Sequence, residues 1–337
     1  DKNMQLKSIM QSVSHGILAI DTKGKILLIN DLAKIMVDGN QKLIPEGKNI
    51  RQFIQNQIVL DSIIYNMSGE NSTVIQKNIS KDTIYKIKID PVHFEDTDAV
   101  IGFIINIENV TEYVKLENMR KEFVANVSHE LKTPLTSITG FVETLKINDD
   151  IDKNTRNHFL DIIEKESNRL KGLIEDILLL SSIENGQDLS YEKVKLFDVF
   201  KEVCEITEYI ASSKNITISY NFEDEDVCIY GFRDNIKQIF LNLIDNGIKY
   251  TPKDGHIEVV QHYDENRQNI ILEFKDNGIG IPKKSLNRIF ERFYRVDKAR
   301  SRDIGGTGLG LAITKHMVKS LGGNITVESI LGIGSDF

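Results

Sequence analysis

The sequence predicts an α+β protein of three parts: a small α/β domain, an antiparallel helical hairpin, and a two-layer α/β sandwich domain. Three observations predict it. Residues 1 to about 112 alternate short apolar runs with turn signals. From Glu112 to about Ser182 the apolar period lengthens to that of a helix. Beyond about residue 190, strand-like and helix-like stretches intermingle. A chain of 337 residues is too long for one ordinary core and suits two or three domains.

In the first region, Gly16 to Ile20, then Asp21-Thr-Lys-Gly24, then Lys25 to Ile29 reads as strand, turn, strand. Asp31 to Val37 fits a short helix. Ser72 to Ile79, Thr83 to Ile89 and Val100 to Ile107 have strand composition. In the second region Val124, Leu131, Ile138 and Leu145 lie seven apart, and Val127, Pro134 and Phe141 form a second row offset by three. These are the a and d positions of a heptad. After a polar turn at Asn148 to Asn154, the pattern returns with Ile163, Leu170 and Ile177 at a, and Phe159, Leu173 and Leu180 at d. Two helices alone have too little core, and dimerising into four solves that problem. In the third region Ile216 to Phe222, Gly255 to His262 and Asn269 to Lys275 read as strands, and Phe232 to Lys249 and Leu309 to Leu321 as helices.

Composition narrows the function. The hydrophobic share of 40% and charged share of 27% are those of an ordinary globular protein. A net charge of −8 without a long basic run argues against a nucleic-acid-binding body. The two cysteines, Cys204 and Cys228, have neither Cys-x-x-Cys spacing nor neighbouring histidines, so a zinc or disulfide framework is not expected, and a reducing compartment fits. No apolar run approaches the roughly 18 residues that cross a bilayer. Both ends read as cut, so membrane contact is expected only through a segment outside this chain.

Three stretches carry candidate chemistry. The hairpin contains Phe123-Val-Ala-Asn-Val-Ser-His129-Glu130-Leu-Lys-Thr133-Pro134-Leu. With Val124 at a, His129 falls at f, the outermost heptad position. An exposed imidazole is a competent nucleophile, Glu130 stands next to it, and Thr133 lies one turn on along the same face. Pro134 inside the helix should kink it. The spacing is not His-Glu-x-x-His, which excludes a zinc protease. Asn242 and Asn246 fall at i and i+4 on one helix face, with Lys249 and Tyr250 following; amide oxygens suit Mg²⁺ and Lys249 can reach phosphate. Asp276-Asn-Gly278-Ile-Gly280-Ile-Pro282 offers a carboxylate and glycines that let backbone approach a flat ring. Ile289 to Arg295, including Arg292, precedes a charged loop from Asp297 to Asp303. Gly305-Gly306-Thr307-Gly308-Leu309-Gly310-Leu311 then opens onto a helix start suited to phosphate. Each piece has a plainer reading alone: a solvated histidine, polar helix surface, a turn, a flexible loop. The conjunction, in this order, changes the odds. A P-loop and the protein-kinase motif set are both missing.

Taken together these residues resemble the orthodox sensor histidine kinases of two-component systems over about residues 113–337. The histidine segment resembles the H box, Asn242 to Tyr250 the N box, Asp276 to Pro282 the G1 box, Ile289 to Arg295 the F box, and Gly305 to Leu311 the G2 box. The resemblance implies an ATP-binding fold of the GHKL or Bergerat type, similar to gyrase and Hsp90-type ATPases. It implies ATP and Mg²⁺ as cofactors, a homodimer, and a response regulator receiver domain as partner. His129 would be the phosphoacceptor, Glu130 the acid/base, and Thr133 a residue of the reverse, phosphatase reaction. Asn246 would hold Mg²⁺, with Asn242 beside it. Lys249, Tyr250, Asp276, Gly278, Gly280, Arg292, Gly306, Thr307, Gly308, Leu309 and Gly310 would contact the nucleotide. The string Phe123 to Leu145 looks most like phosphate-regulon sensor kinases of Gram-positive bacteria.

Residues 1–112 resemble a PAS sensor domain, 113–186 a dimerisation and histidine phosphotransfer hairpin, and 187–337 a catalytic ATP-binding domain. The implied location is a cytoplasmic fragment of a protein anchored in the bacterial membrane. There are departures from the family pattern. Gly247 stands where alanine is commoner. Asn109 replaces the aspartate that usually forms a salt bridge between the sensor domain and the following helix. Gly332 to Phe337 resembles the last glycine motif, cut short. Two rival readings are an ATPase clamp, against which the histidine segment argues, and a non-enzymatic scaffold, against which intact His129, Asn246 and Asp276 argue.

Overall fold

The computed structural model describes residues 10–39, 44–67, 71–94, 99–148, 150–184, 191–297 and 306–337. It forms two compact units, Asp1–Glu122 and Phe123–Phe337. The first unit is a five-stranded antiparallel sheet built from β1 (Gly16–Asp21), β2 (Ile26–Ile29), β3 (Thr73–Ser80), β4 (Thr83–His93) and β5 (Val100–Asn109), in the order β2-β1-β5-β4-β3. Three helices, α1 (Asp31–Met36), α2 (Ile50–Phe53) and α3 (Gln57–Asn66), fill the connection from β2 to β3. Alternate residues point inward, as period-two strands require. Leu18, Ile20, Ile87, Ile89, Ile105 and Ile107 meet Ala33, Phe53, Val59 and Ile63 in one core.

A buried asparagine pins this core. Asn30 caps α1 by accepting from Ala33 N (2.9 Å), and the same oxygen accepts from Ile17 N (2.9 Å). Its amide donates to the carbonyls of Met10 (3.1 Å) and His15 (2.8 Å). One side chain thus ties the start of a helix to the first strand. At the far end of the unit, Asn109 accepts from the backbone N–H (3.1 Å) and hydroxyl (2.5 Å) of Thr111. That hydroxyl accepts from Ile84 N (2.9 Å). The asparagine therefore caps the turn into the next helix by local hydrogen bonds rather than by a charge.

That helix, α4 (Thr111–Ile147), runs 37 residues through Pro134 without interruption. Proline has no N–H, so the carbonyl of Glu130 lacks its helical donor. From Phe123 onward α4 belongs to the second unit, where it pairs with α5 (Lys153–Glu184). Phe141 and Phe159 meet across the hairpin with ring centroids 5.0 Å apart. Asp152 caps α5 by accepting from Asn154 N, Thr155 N and the Thr155 hydroxyl. The heptad rows are unequally buried: Leu173 and Leu180 are inside, whereas Val124 is 57% exposed; Leu178, outside both rows, is 64% exposed.

The rest of the second unit is a helix layer on a sheet. β7 (Thr217–Phe222), β9 (His256–Tyr263), β10 (Ile270–Asp276), β11 (Glu328–Ile330) and β12 (Gly334–Asp336) make a mixed sheet in the order β11-β12-β10-β9-β7, with β7 parallel to β9. β6 (Glu192–Lys195) and β8 (Cys228–Gly231) form a small separate ribbon. Helices α6 (Leu196–Ser213), α7 (Arg233–Tyr250) and α8 (Gly310–Ser320) supply the other layer. Phe200, Val203, Phe240, Ile244, Val259, Phe274, Ile313 and Met317 form its core, which Leu173 and Leu180 of α5 join. The sequence reading placed the strands and helices it named within a few residues. It did not single out α2, α3, α6 or the short strands β6, β8, β11 and β12.

Asn30→Ala leaves two buried N–H groups without acceptors, each costing about 1–3 kcal/mol. Urea denaturation of residues 1–122 should show a loss of about 2–4 kcal/mol. A loss under 1 kcal/mol would mean the asparagine is not the pin described.

Candidate functional site

The structure gathers the predicted residues into two sets, one on the hairpin and one between α7, the end of β10 and the start of α8. On the hairpin, His129 is exposed on α4. Glu130 is half-buried, and its Oε2 accepts from Arg169 of α5 at 2.9 Å. Arg169 is only 15% exposed and also stands 3.6 Å from Oε2 of Glu166. That oxygen of Glu166 is buried with no hydrogen-bond partner among the described residues, so it has the charge attraction alone. Thr133 donates to the carbonyl of His129 (3.1 Å), which leaves its lone pairs free to accept.

In the second set α7 is fixed at both ends. Near its start Glu202 of α6 pairs with Arg233 (2.6 Å) and with Lys237. At its end the ammonium of Lys214 donates to the carbonyls of Ile248 (2.7 Å), Lys249 (3.0 Å) and Thr251 (3.4 Å). A cation there satisfies carbonyls that the helix cannot and complements the negative end of its dipole. Gly247 lets α7 lie close on β9, for a Cβ there would meet Ile257 Cδ1 at 2.9 Å. The atom met is the flexible end of a side chain, so an alanine would need only a small shift of Ile257.

Asn242 is fully committed: it accepts from Gln238 (2.8 Å) and donates to the Gly310 carbonyl and the Thr314 hydroxyl (3.2 Å each). It ties α7 to α8. Asn246, one turn on, is half-buried and makes no hydrogen bond to another described residue, so its amide oxygen can act as a ligand. Lys249 is paired with Asp245 at 2.6 Å. No cluster of three metal-binding side chains occurs among the described residues. The donor set therefore fits Mg²⁺ only as an ion taking one protein oxygen, with phosphates and water supplying the rest.

Asp276 closes β10, and its Oδ1 accepts from Gly278 N (2.8 Å). Burial pushes its carboxyl above the ordinary aspartate range, while hydrogen bonds from Gly278 and Ser335 pull the other way. A Cβ on Gly278 would lie 2.6 Å from that oxygen, 2.8 Å from the Tyr250 carbonyl and 3.1 Å from the Thr251 hydroxyl, so only glycine leaves this approach open. Gly280 adopts φ +67°, and a Cβ there would strike the Ile330 carbonyl at 2.1 Å.

The start of α8 has no side-chain cap, which leaves its first N–H groups for an anion. Leu309 N donates to the Thr307 hydroxyl at 3.2 Å. That hydroxyl donates in turn to Asp176 of α5 at 2.6 Å. Burial raises the Asp176 carboxyl as well, opposed by Thr307 and by the charge of Lys249. Arg292 lies 5.2 Å over the ring of Phe123, and the ring of Phe293 meets the same ring tilted by 43° with centroids 5.8 Å apart. Gly306 is described, whereas Gly305 and the charged loop from residue 298 to Asp303 lie outside the described residues.

Sequence reasoning missed Arg169, Asp176 and Lys214. Arg169 three residues after Glu166 reads as an ordinary helix-surface pair. Asp176 has no cation one turn away in either direction. Their partners stand 39 and 131 residues off in sequence.

Residues 119–186 match the His Kinase A (phospho-acceptor) domain family, and residues 231–337 the family of histidine kinase-, DNA gyrase B- and HSP90-like ATPases. The chain is 33% identical over 332 residues to a sensor protein kinase WalK of Staphylococcus aureus, covering 98% of this chain and 79% of that relative. Against WalK of strain JH9 the identity is also 33%, covering 98% of this chain and 54% of the relative; the chain spans about half its length. Among solved structures, histidine kinase ThkA in complex with response regulator protein TrrA shares the fold. Its TM-score is 0.52 at 24% identity, over 98% of this chain and 96% of that one.

Asp276→Asn should have opposite effects on binding and stability. The amide would present a donor where the family resemblance places the adenine amine and would lose a hydrogen bond worth about 1.5–3 kcal/mol, so calorimetry should show adenine nucleotide affinity falling by roughly tenfold to a hundredfold. The ionised carboxylate is disfavoured by the fold because its pKa is raised, so removing the charge should raise the melting temperature at pH 7. That gain should shrink as pH falls through the raised value toward the ordinary aspartate range, where the native carboxyl is protonated as well. A gain that persists there would point to a cause other than charge.

Proposed function

This chain belongs to the sensor histidine kinases of two-component systems, and from its geometry we propose that it transfers the γ-phosphate of ATP to His129. The observation that carries the reading is one chain holding both an exposed histidine on a hairpin helix and a half-buried carboxylate at the end of β10. An imidazole nitrogen of His129 attacks the γ-phosphorus. The N–P bond forms as the bond to the β-phosphate oxygen breaks, ADP leaves, and Glu130 takes the ring proton. Asp276 accepts from the adenine amine, with Tyr250, Gly278 and Gly280 shaping the ring's slot. Lys249, Arg292, Gly306, Thr307 and the N–H groups of Gly308 and Gly310 hold the phosphates, with Leu309, whose N–H goes to Thr307, setting the backbone between them. Asn246 would hold Mg²⁺, which supplies charge neutralisation at the phosphates.

Phosphohistidine then passes its phosphoryl group to an aspartate of a response regulator receiver domain. Thr133, whose lone pairs remain free, would accept from a water attacking the regulator's aspartyl phosphate in the reverse direction. Val124, an exposed residue at a heptad a position, and the exposed Leu178 of α5 support a homodimer that buries them in a four-helix bundle. The β2-β1-β5-β4-β3 sheet with helices between β2 and β3 supports a PAS domain over residues 1–112. The described residues hold no helix long and apolar enough to cross a membrane. Anchoring, if the full protein is a membrane sensor, resides in a segment outside this chain.

His129→Gln should abolish acid-labile label from γ-labelled ATP while leaving nucleotide affinity unchanged. Label at the native level would remove His129 from its role. Thr133→Ala should autophosphorylate at a near-native rate yet slow the decay of a phosphorylated regulator with kinase and ADP by about tenfold, within the range for a positioning contact. Equal decay rates would end the phosphatase reading alone.

A further inference from the structure

We propose that Arg169 is a positioning residue for phosphotransfer, holding Glu130 in place to take the proton of His129. The inference rests on the kinase reading above and adds a residue from the opposite helix to it. Glu130 follows His129 directly on α4, so nothing within α4 fixes which way its three-torsion side chain swings. Its helix neighbours one turn on, Thr133 and Pro134, offer no cation. The fixing contact comes from α5: Arg169 donates to Glu130 Oε2 at 2.9 Å. A charge-assisted bond of this length is among the stronger contacts a side chain makes.

Arg169 is well suited to the task because it is itself held. It is 15% exposed, and Glu166 on the preceding turn attracts it at 3.6 Å. Half-burial weakens the screening that makes exposed pairs nearly worthless. With Oε2 committed to the guanidinium, Oε1 is the oxygen left for the imidazole N–H. A carboxylate has two oxygens, so Glu130 can accept from Arg169 through one and from the imidazole through the other. The proton moves from the His129 ring to Glu130 as the N–P bond forms, and Arg169 exchanges no atom or electron. Glu166 balances the cation when Glu130 becomes neutral.

A double-mutant cycle tests this on the whole chain, with initial rates from γ-labelled ATP. Arg169→Met should lower kcat by about tenfold to a hundredfold with KM for ATP unchanged, the loss expected of a misplaced catalytic group. Arg169→Lys, which keeps the charge but not the fork, should recover part of it. Glu130→Gln should cost more, and Glu130→Gln with Arg169→Met no more than Glu130→Gln alone. Arg169 then acts through Glu130. A structural role would lower the melting temperature and multiply the two losses. If Arg169→Met fails to fold, the Lys variant carries the cycle. Multiplying losses, or a kcat within twofold of native, would overturn the proposal. Native protein that takes no label would fell the kinase reading itself; label on the native protein with an unaffected Arg169 variant would fell this inference alone.

Discussion

Three carbonyls at the end of α7 converge on one ammonium, that of Lys214, and the nucleotide side of the molecule depends on that convergence. The helix carries Asn242, Asn246, Lys249 and Tyr250, so the place where it stops decides where four site residues stand. Ile279 N donates to the carbonyl of Tyr250 (3.2 Å), which passes the constraint to the loop after β10. Thr251 N closes the last helical bond to Gly247 O at 3.0 Å. Without a cation the final carbonyls would face each other unscreened at the negative end of the dipole. Glu202 clamps the opposite end, so α7 is held between α6 and its own cap.

The site is also a set of departures from what stability alone would choose. Asp276 and Asp176 are carboxyls raised by burial. Gly278 and Gly280 forgo side chains where the backbone must come close. Helix α8 begins without a cap. Fixed dipoles and charges act strongly only when a packed scaffold keeps water and motion away. Leu309, fully buried beside Ile313 and Met317, anchors the uncapped helix start in that scaffold.

Much of this was legible in the sequence for a local reason. Heptads, strand alternation and the glycine runs are patterns of neighbours, and neighbours are what a single sequence displays. The hairpin and the longer strands follow from such patterns, and the motif stretches from His129 to Gly310 stand out by them. What the sequence hid are contacts between distant stretches. Nothing near Glu130 announces Arg169, and nothing near Thr307 announces Asp176. The amphipathic helix α6 carries its period in Phe197, Phe200 and Val203, but Lys195 before it supplies no side-chain cap to mark its start. Asn109 was legible only as the loss of a charge; its local hydrogen bonds to Thr111 needed coordinates.

Lys249 comes to the site with its counter-ion already in place, for Asp245 lies 2.6 Å from it on the same helix. An anion drawn to this ammonium would enter by exchange rather than by addition. The attraction it gains is offset by the attraction Asp245 gives up, and few mobile ions need leave the surface. Affinity governed by such an exchange responds weakly to ionic strength, unlike capture by a bare lysine. Selection among anions then turns on their shape, since the charge each brings meets a charge already balanced.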